Sequence, residues 1–400
     1  MKSGTAARCK LVTDVRENTV VQHFRNPHWS SSDIREVVHQ WLPFTAQADA
    51  AREVRSWSDY ERTRLLDFPD LAADAAVAQV WIKDEAPRFG LGSFKALGGA
   101  YAVSALARNA ASTSGETAAQ AFACATDGNH GRAVAWGARR LGCRSVIYLH
   151  ERVSAGREAA LRALGAEIVR VAGTYDDSVR QAAFDAARHG WTLVSDTSND
   201  ECDPSPLLVM AGYTLMVEEI VAQLRSNVAP THIFVQAGVG GLAASVIASA
   251  YGRWMPAFPR IVTVEPQRAA CVMRSLEAGR RVAISGSLDT VMAGLACGEV
   301  SHAAWPMLKA GVSDALTISE VGVPCGMRLM FRGTALDPGL TCGESGVAGI
   351  VALLAATRDE ATSAALGLHA ESRVLLISTE GATDREIFER LVPDARQASA

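Results

Sequence analysis

The feature that most constrains this 400-residue chain is an alternation along its length. Short apolar runs rich in β-branched residues trade places with longer Ala-rich segments. Runs at 78–83, 121–125, 145–149, 167–171, 192–194, 232–236, 260–265 and 374–378 read as strands. Segments 94–108, 130–141, 154–164, 175–188, 240–250 and 345–356 read as helices. Short strands of buried type separated by helices imply parallel pairing with crossover helices, so the fold class is α/β. Small and polar residues gather at 110–120 and again at 226–230. These breaks suggest a larger unit, 1–110 with 231–400, and a smaller α/β unit at 111–230.

Apolar residues make up 48% of the chain and charged residues 20%, enough for a sizeable core. The formal charge is −4 and the basic residues are scattered, which argues against a nucleic-acid or polybasic membrane-surface role. The segment 346–356 is too short to span a bilayer, and no apolar signal region follows the first basic residues. A cytoplasmic enzyme is the expectation. The eight cysteines form no CxxC pair, so zinc-ribbon and thioredoxin-type readings fail. No metal-ligand spacing appears elsewhere.

Three motifs carry chemistry. Ala237-Gly238-Val239-Gly240-Gly241-Leu242 joins a strand to a helix. Main-chain amides free of side-chain bulk, at a helix start, make an anion site. The turn lacks the P-loop lysine and the full dinucleotide spacing. Read alone, it serves equally as a tight connection that binds nothing. The second motif, Arg88-Phe-Gly-Leu-Gly-Ser-Phe-Lys95, sets a lysine at the start of an apolar helix. Burial and the positive helix end should lower its pKa and favour the neutral amine that attacks an aldehyde. A lone lysine at such a place more often snorkels to solvent. The third, Thr126-Asp127-Gly128-Asn129-His130-Gly131, follows a strand and opens a helix, where open sheets keep their ligands. An ordinary N-cap explains Asp127 or Asn129 but not the whole string.

Taken in chain order, the Ser-x-Lys at a helix start, then the Gly-Asn-His-Gly turn, then the late glycine-rich turn, the three motifs resemble the fold-type II pyridoxal-phosphate enzymes, built from two interlocked open α/β domains. RFGLGSFKALGG, ATDGNHGRAVAWGARRLG, QAGVGG, MAGLACGE and ISTEGATD most resemble the diaminopropionate ammonia-lyases, over about residues 59–384. The resemblance implies pyridoxal 5′-phosphate as cofactor, with Lys95 as its Schiff-base lysine and Asn129 on its 3′ oxygen. It implies that Gly238 through Leu242 hold the phosphate, and that Ser378 or Thr379 meets the pyridine nitrogen. It also implies Lys95 and Asp127 as bases on opposite faces of the substrate, so that both stereoisomers react. Asp196 would assist the second route or orient the substrate amine. Such a carboxyl base works best with a raised pKa. The competing reading of Asp196 is a turn cap after its strand. His130 is expected to be structural.

The implied reaction is α,β-elimination of a 2,3-diaminopropionate-type amino acid to pyruvate and ammonia, by a homodimer. Two departures stand out. Asn199, Asp200, Glu201 and Cys202 occupy the place of a Trp-Glu-Gly-Tyr stretch, and Arg64 that of a Thr-Pro-Leu. A roomier, more acidic pocket would suit a lyase of N-substituted diaminopropionate, with a larger amine or guanidino leaving group of the carboxyethyl-arginine type. A β-replacement synthase would use the same cofactor residues, and so would a silent cofactor-binding protein. Cys271 and Cys297 resemble a family cysteine pair that can form a disulfide, although reduced thiols are expected in cytosol.

Overall fold

The computed structural model describes residues 2–114, 120–126, 128–197, 203–224 and 228–395. Among these residues eleven strands form two sheets. The larger takes β1 (Val21–Arg25), β2 (Leu65–Asp67), β3 (Gln79–Asp84), β8 (His232–Gln236), β9 (Arg260–Pro266), β10 (Asp314–Ile318) and β11 (Arg373–Ser378). Its order is β1-β10-β9-β8-β11-β3-β2. The five inner strands run parallel, and the two edge strands pair antiparallel. The smaller sheet takes β4 (Ala121–Ala125), β5 (Arg144–His150), β6 (Glu167–Val171) and β7 (Thr192–Leu193). Its order is β6-β5-β4-β7, all parallel. The α/β class therefore holds.

Every strand expected from the apolar runs is present, within one residue at each end. Three strands escaped that reading. The edge strands β1 and β2 carry polar residues and contain only five and three residues. Strand β10 opens on a charge, Asp314, which is fully buried and paired with Arg260 at 2.9 Å and His23 at 2.9 Å. An inward charge with partners on the neighbouring strands is invisible to an apolar pattern.

The helices Lys95–Ser114 and Ser205–Gln223 pack against each other across two glycines. A Cβ on Gly98 would run into the Val209 carbonyl, and one on Gly212 into that of Leu97. That approach brings Tyr213 beside Phe94, their ring centroids 4.6 Å apart. Among the described residues Ser205–Gln223 is the one helix long and apolar enough to cross a membrane. Most of it is buried in the main core, against Lys95–Ser114 and Gly241–Trp254.

Candidate active site

Segments that follow β3, β4, β7 and β11 bring polar side chains into pairs, Lys95 with Asp196 and Asn129 with Glu380, and the segment after β8 is the glycine-rich turn. Lys95 is the first residue of its helix, reached from β3 through the glycine-rich loop. That loop is tied to the end of β11. Ser93 bridges Glu380, the Phe94 amide donates to the Thr379 carbonyl at 3.0 Å, and the Gly381 amide donates to the Gly92 carbonyl at 2.9 Å.

The Lys95 ammonium donates to Asp196 Oδ2, just beyond β7. This pair reverses an expectation. Burial does oppose the charge on Lys95, yet the Asp196 carboxylate more than offsets it and the amine stands above the ordinary lysine value. Asp196 is not raised either. Burial pushes it up, but Lys95 and then His130 hold it well below the usual carboxylate range. The sequence offered the burial and the helix end, but not a carboxylate a hundred residues away. His130 is nearly buried; its Nε2 donates to the Val194 carbonyl at 3.0 Å, and its Nδ1 stands 3.9 Å from Asp196. Burial keeps its pKa below the usual histidine value. Nδ1 and the buried Tyr213 hydroxyl have no hydrogen-bond partner among the described residues.

The helix Asn129–Arg140 starts on Asn129, whose Nδ2 donates to Glu380 Oε2 at 2.5 Å. Asp127 lies outside the described residues, as do Asn199, Asp200, Glu201 and Cys202. Arg64 pairs with Asp84 at 3.1 Å on the edge of the larger sheet.

The turn from Gly238 to Leu242 leads from β8 into the 14-residue helix Gly241–Trp254. Gly240 takes φ +94°, a left-handed conformation that side chains resist. A Cβ on Gly238 would stand 2.9 Å from Cys297 Sγ and 3.2 Å from the Gly294 carbonyl. The loop's carbonyls are engaged: Gly238 accepts from the Cys271 thiol at 3.3 Å, Val239 from the Ser301 amide at 2.9 Å, and Gly240 from Ala244 at 2.9 Å. Cys271 and Cys297 are thus two thiols beside this loop. Ser378 is fully buried with its hydroxyl on Cys342 Sγ at 3.2 Å, and Thr379 follows at the strand end.

Two carboxyls had gone unnoticed in the sequence, Glu380 in ISTEGATD and Glu344 in TCGESG. Both are nearly buried, and Glu380 also accepts from the Ser345 amide at 3.0 Å. Burial, with the Glu380 carboxylate beside it, pushes Glu344 up to about 7. For Glu380 the signal was available: an acidic residue two positions past a buried parallel strand sits where such sheets keep their sites.

A glycine cradle at a helix start and a lysine beside a carboxylate fit pyridoxal 5′-phosphate. Gly238 to Leu242 would take its phosphate and Lys95 its aldehyde.

Comparison with known proteins agrees. Residues 57–380 match the family model described as pyridoxal-phosphate dependent enzyme. Diaminopropionate ammonia-lyase of Escherichia coli strain K12 is 36% identical over 371 residues, covering 89% of this chain and 93% of that protein. The Salmonella typhimurium enzyme of the same name is 35% identical, covering 85% and 90%. A crystal structure of the Escherichia coli enzyme, in complex with an aminoacrylate-PLP azomethine reaction intermediate, matches with a TM-score of 0.85 and 34% identity, covering 95% of this chain and 99% of that one. The chain belongs to the pyridoxal-phosphate dependent enzymes and, within them, to the diaminopropionate ammonia-lyase family.

Proposed function

We propose that this protein is a carbon–nitrogen lyase that eliminates the β-amino group of 2,3-diaminopropionate, giving pyruvate and two ammonia after hydrolysis of the enamine product. The observation that carries the reading is the Lys95–Asp196 pair, set in one fold with the glycine cradle at Gly238–Leu242. Bound pyridoxal phosphate supplies the electron sink for the carbon that loses its proton. The residues supply the rest. Lys95 holds a mobile proton at Nζ, and Asp196 keeps that amine charged and oriented. A β-amine leaves easily only when protonated, and the ammonium of Lys95 is a proton store for that need. Asp127 is the second base in this reading, and Ser378 or Thr379 the neutral partner of the pyridine nitrogen. With Ser378 turned to Cys342, Thr379 is the better placed of the two.

The relatives are ammonia-lyases, so the unsubstituted diamine is preferred to an N-substituted one, and elimination to β-replacement. A homodimer, a cytoplasmic setting and the division at 111–230 belong to the same reading by analogy. The test is pyruvate release from D- and L-2,3-diaminopropionate by cofactor-loaded protein. Turnover of either isomer is expected. Negligible turnover of both, with the cofactor's visible absorbance present, overturns the assignment.

A further inference from the structure

We propose that Glu380 is a positioning residue for the cofactor, acting through Asn129, whose amide it fixes in one of its two orientations. The proposal rests on the reading above that Asn129 faces the cofactor ring.

An asparagine side chain presents a donor end and an acceptor end of nearly the same shape. Something in the fold must decide which end faces a ligand. Here Asn129 Nδ2 donates to Glu380 Oε2 at 2.5 Å, and a carboxylate can only accept. The donor end is thereby turned to Glu380, and one N–H together with Oδ1 is left for the ring. The second carboxylate oxygen is also committed, because Oε1 accepts from the Ser345 amide at 3.0 Å. The carboxylate therefore cannot turn to release Asn129 without breaking a second bond.

The backbone under Glu380 is pinned as well. Its carbonyl accepts from the Gly343 amide at 2.8 Å, and Ser93, two residues before Lys95, bridges it. A Cβ on Gly343 would stand 2.9 Å from Glu380 Cγ, and one on Gly346 would stand 2.6 Å from its carbonyl. One residue thus connects the lysine loop from β3, the Asn129 helix after β4, and the end of β11. Glu344, raised to about 7, limits the negative charge that shares this pocket.

The experiment uses Glu380→Gln, which keeps the shape. A glutamine offers one oxygen to two N–H donors, so either Ser345 or Asn129 meets an NH2 group, and the Asn129 amide loses its fixed orientation. Pyridoxal-phosphate affinity, the visible absorption band and its pH titration are read for wild type, E380Q, N129A and N129A/E380Q. The apo proteins are melted in parallel. Hydrogen bonds to charged groups suggest about tenfold weaker cofactor binding for E380Q, with a shifted band. The double variant should bind no more weakly than N129A alone, since both act through one amide. Wild-type affinity and band in E380Q, while N129A is impaired, would sink the proposal. So would additive losses, or a lower apo melting temperature with the cofactor properties unmoved, which is what a purely structural role gives. If N129A itself binds normally, the reading of Asn129 fails first and the role of Glu380 falls with it.

Discussion

Lys83 and Lys95 are separated by one strand end and one loop, both meet carboxylates, and they do opposite things. Lys83, in β3, is fully buried and donates to the Thr63 carbonyl at 2.7 Å and to Glu219 at 2.6 Å. Around it the guanidinium of Arg88 binds Glu85 at 2.7 Å and Glu219 at 2.7 Å, with Tyr60 and Thr63 filling the remaining sites. Two cations face two carboxylates, and every partner is fixed by another element. Burial still lowers the pKa of Lys83, because no solvent reaches it and Arg88 lies beside it. Among the described residues Lys95 has one side-chain hydrogen-bond partner, Asp196, on a segment after the smaller sheet, and it keeps 22% side-chain exposure. A buried amine with all its acceptors fixed is a joint of the scaffold. An amine with a single carboxylate at a sheet end can change partners, which covalent catalysis requires.

The sharpest way to break this contrast is to remove each amine in turn. Lys95→Ala should abolish the cofactor's visible absorbance and lower turnover by ~10⁴-fold or more, since one side chain serves as nucleophile and base. The far-ultraviolet dichroism should be unchanged. Substantial turnover in K95A, followed as pyruvate, would place the chemistry elsewhere. Lys83→Met should act on stability instead. It leaves Glu85 and Glu219 facing Arg88 alone, and breaking a buried pair from one side costs about 3–5 kcal/mol. Denaturant titration should show that loss, while the folded fraction keeps its kcat. A K83M protein of native stability and impaired chemistry would erase the distinction between the two lysines.

The same contrast marks what the sequence discloses. Inner parallel strands such as β8 and β11 are legible because both faces are buried and the apolar run is continuous. The cofactor motifs are legible because glycines and a lysine at strand-to-helix junctions serve few other purposes. Asp196 was singled out, but its partnership with Lys95 depends on how β7 lies beside β4. That long-range pairing set both charge states, and a local view of helix end and burial gave the wrong sign for Lys95. Glu219 and Arg88 look like ordinary surface charges in the sequence; only the packing of Ser205–Gln223 on the lysine loop shows them fully buried. Strand β10 was hidden for the same reason, its leading Asp314 being paired from β9 and β1.

A smaller effect sharpens the rule that partners decide whether a buried group keeps its charge. Glu344 is buried and faces a like charge, Glu380, which Arg157 offsets only in part, and its pKa is raised from 4.5 to about 7. Below the unfolded value both states hold the proton, and the neutral Glu344 contributes its full stability. As pH rises from 4.5 to about 7, the unfolded chain gives up its proton while the folded chain retains it, so stability falls across that window. Above the window both states are ionised and this contribution is constant. The slope from this one group cannot exceed ~1.4 kcal/mol per pH unit. Glu344→Gln is neutral throughout and should remove that slope, so the difference in unfolding free energy between wild type and E344Q changes with pH inside the window and is flat outside it. Denaturant melts of the apo protein at several pH values measure this difference. Parallel curves would mean that Glu344 ionises in the fold as it does in the unfolded chain, and that a neighbouring carboxylate is not enough to make a buried acid give up its charge.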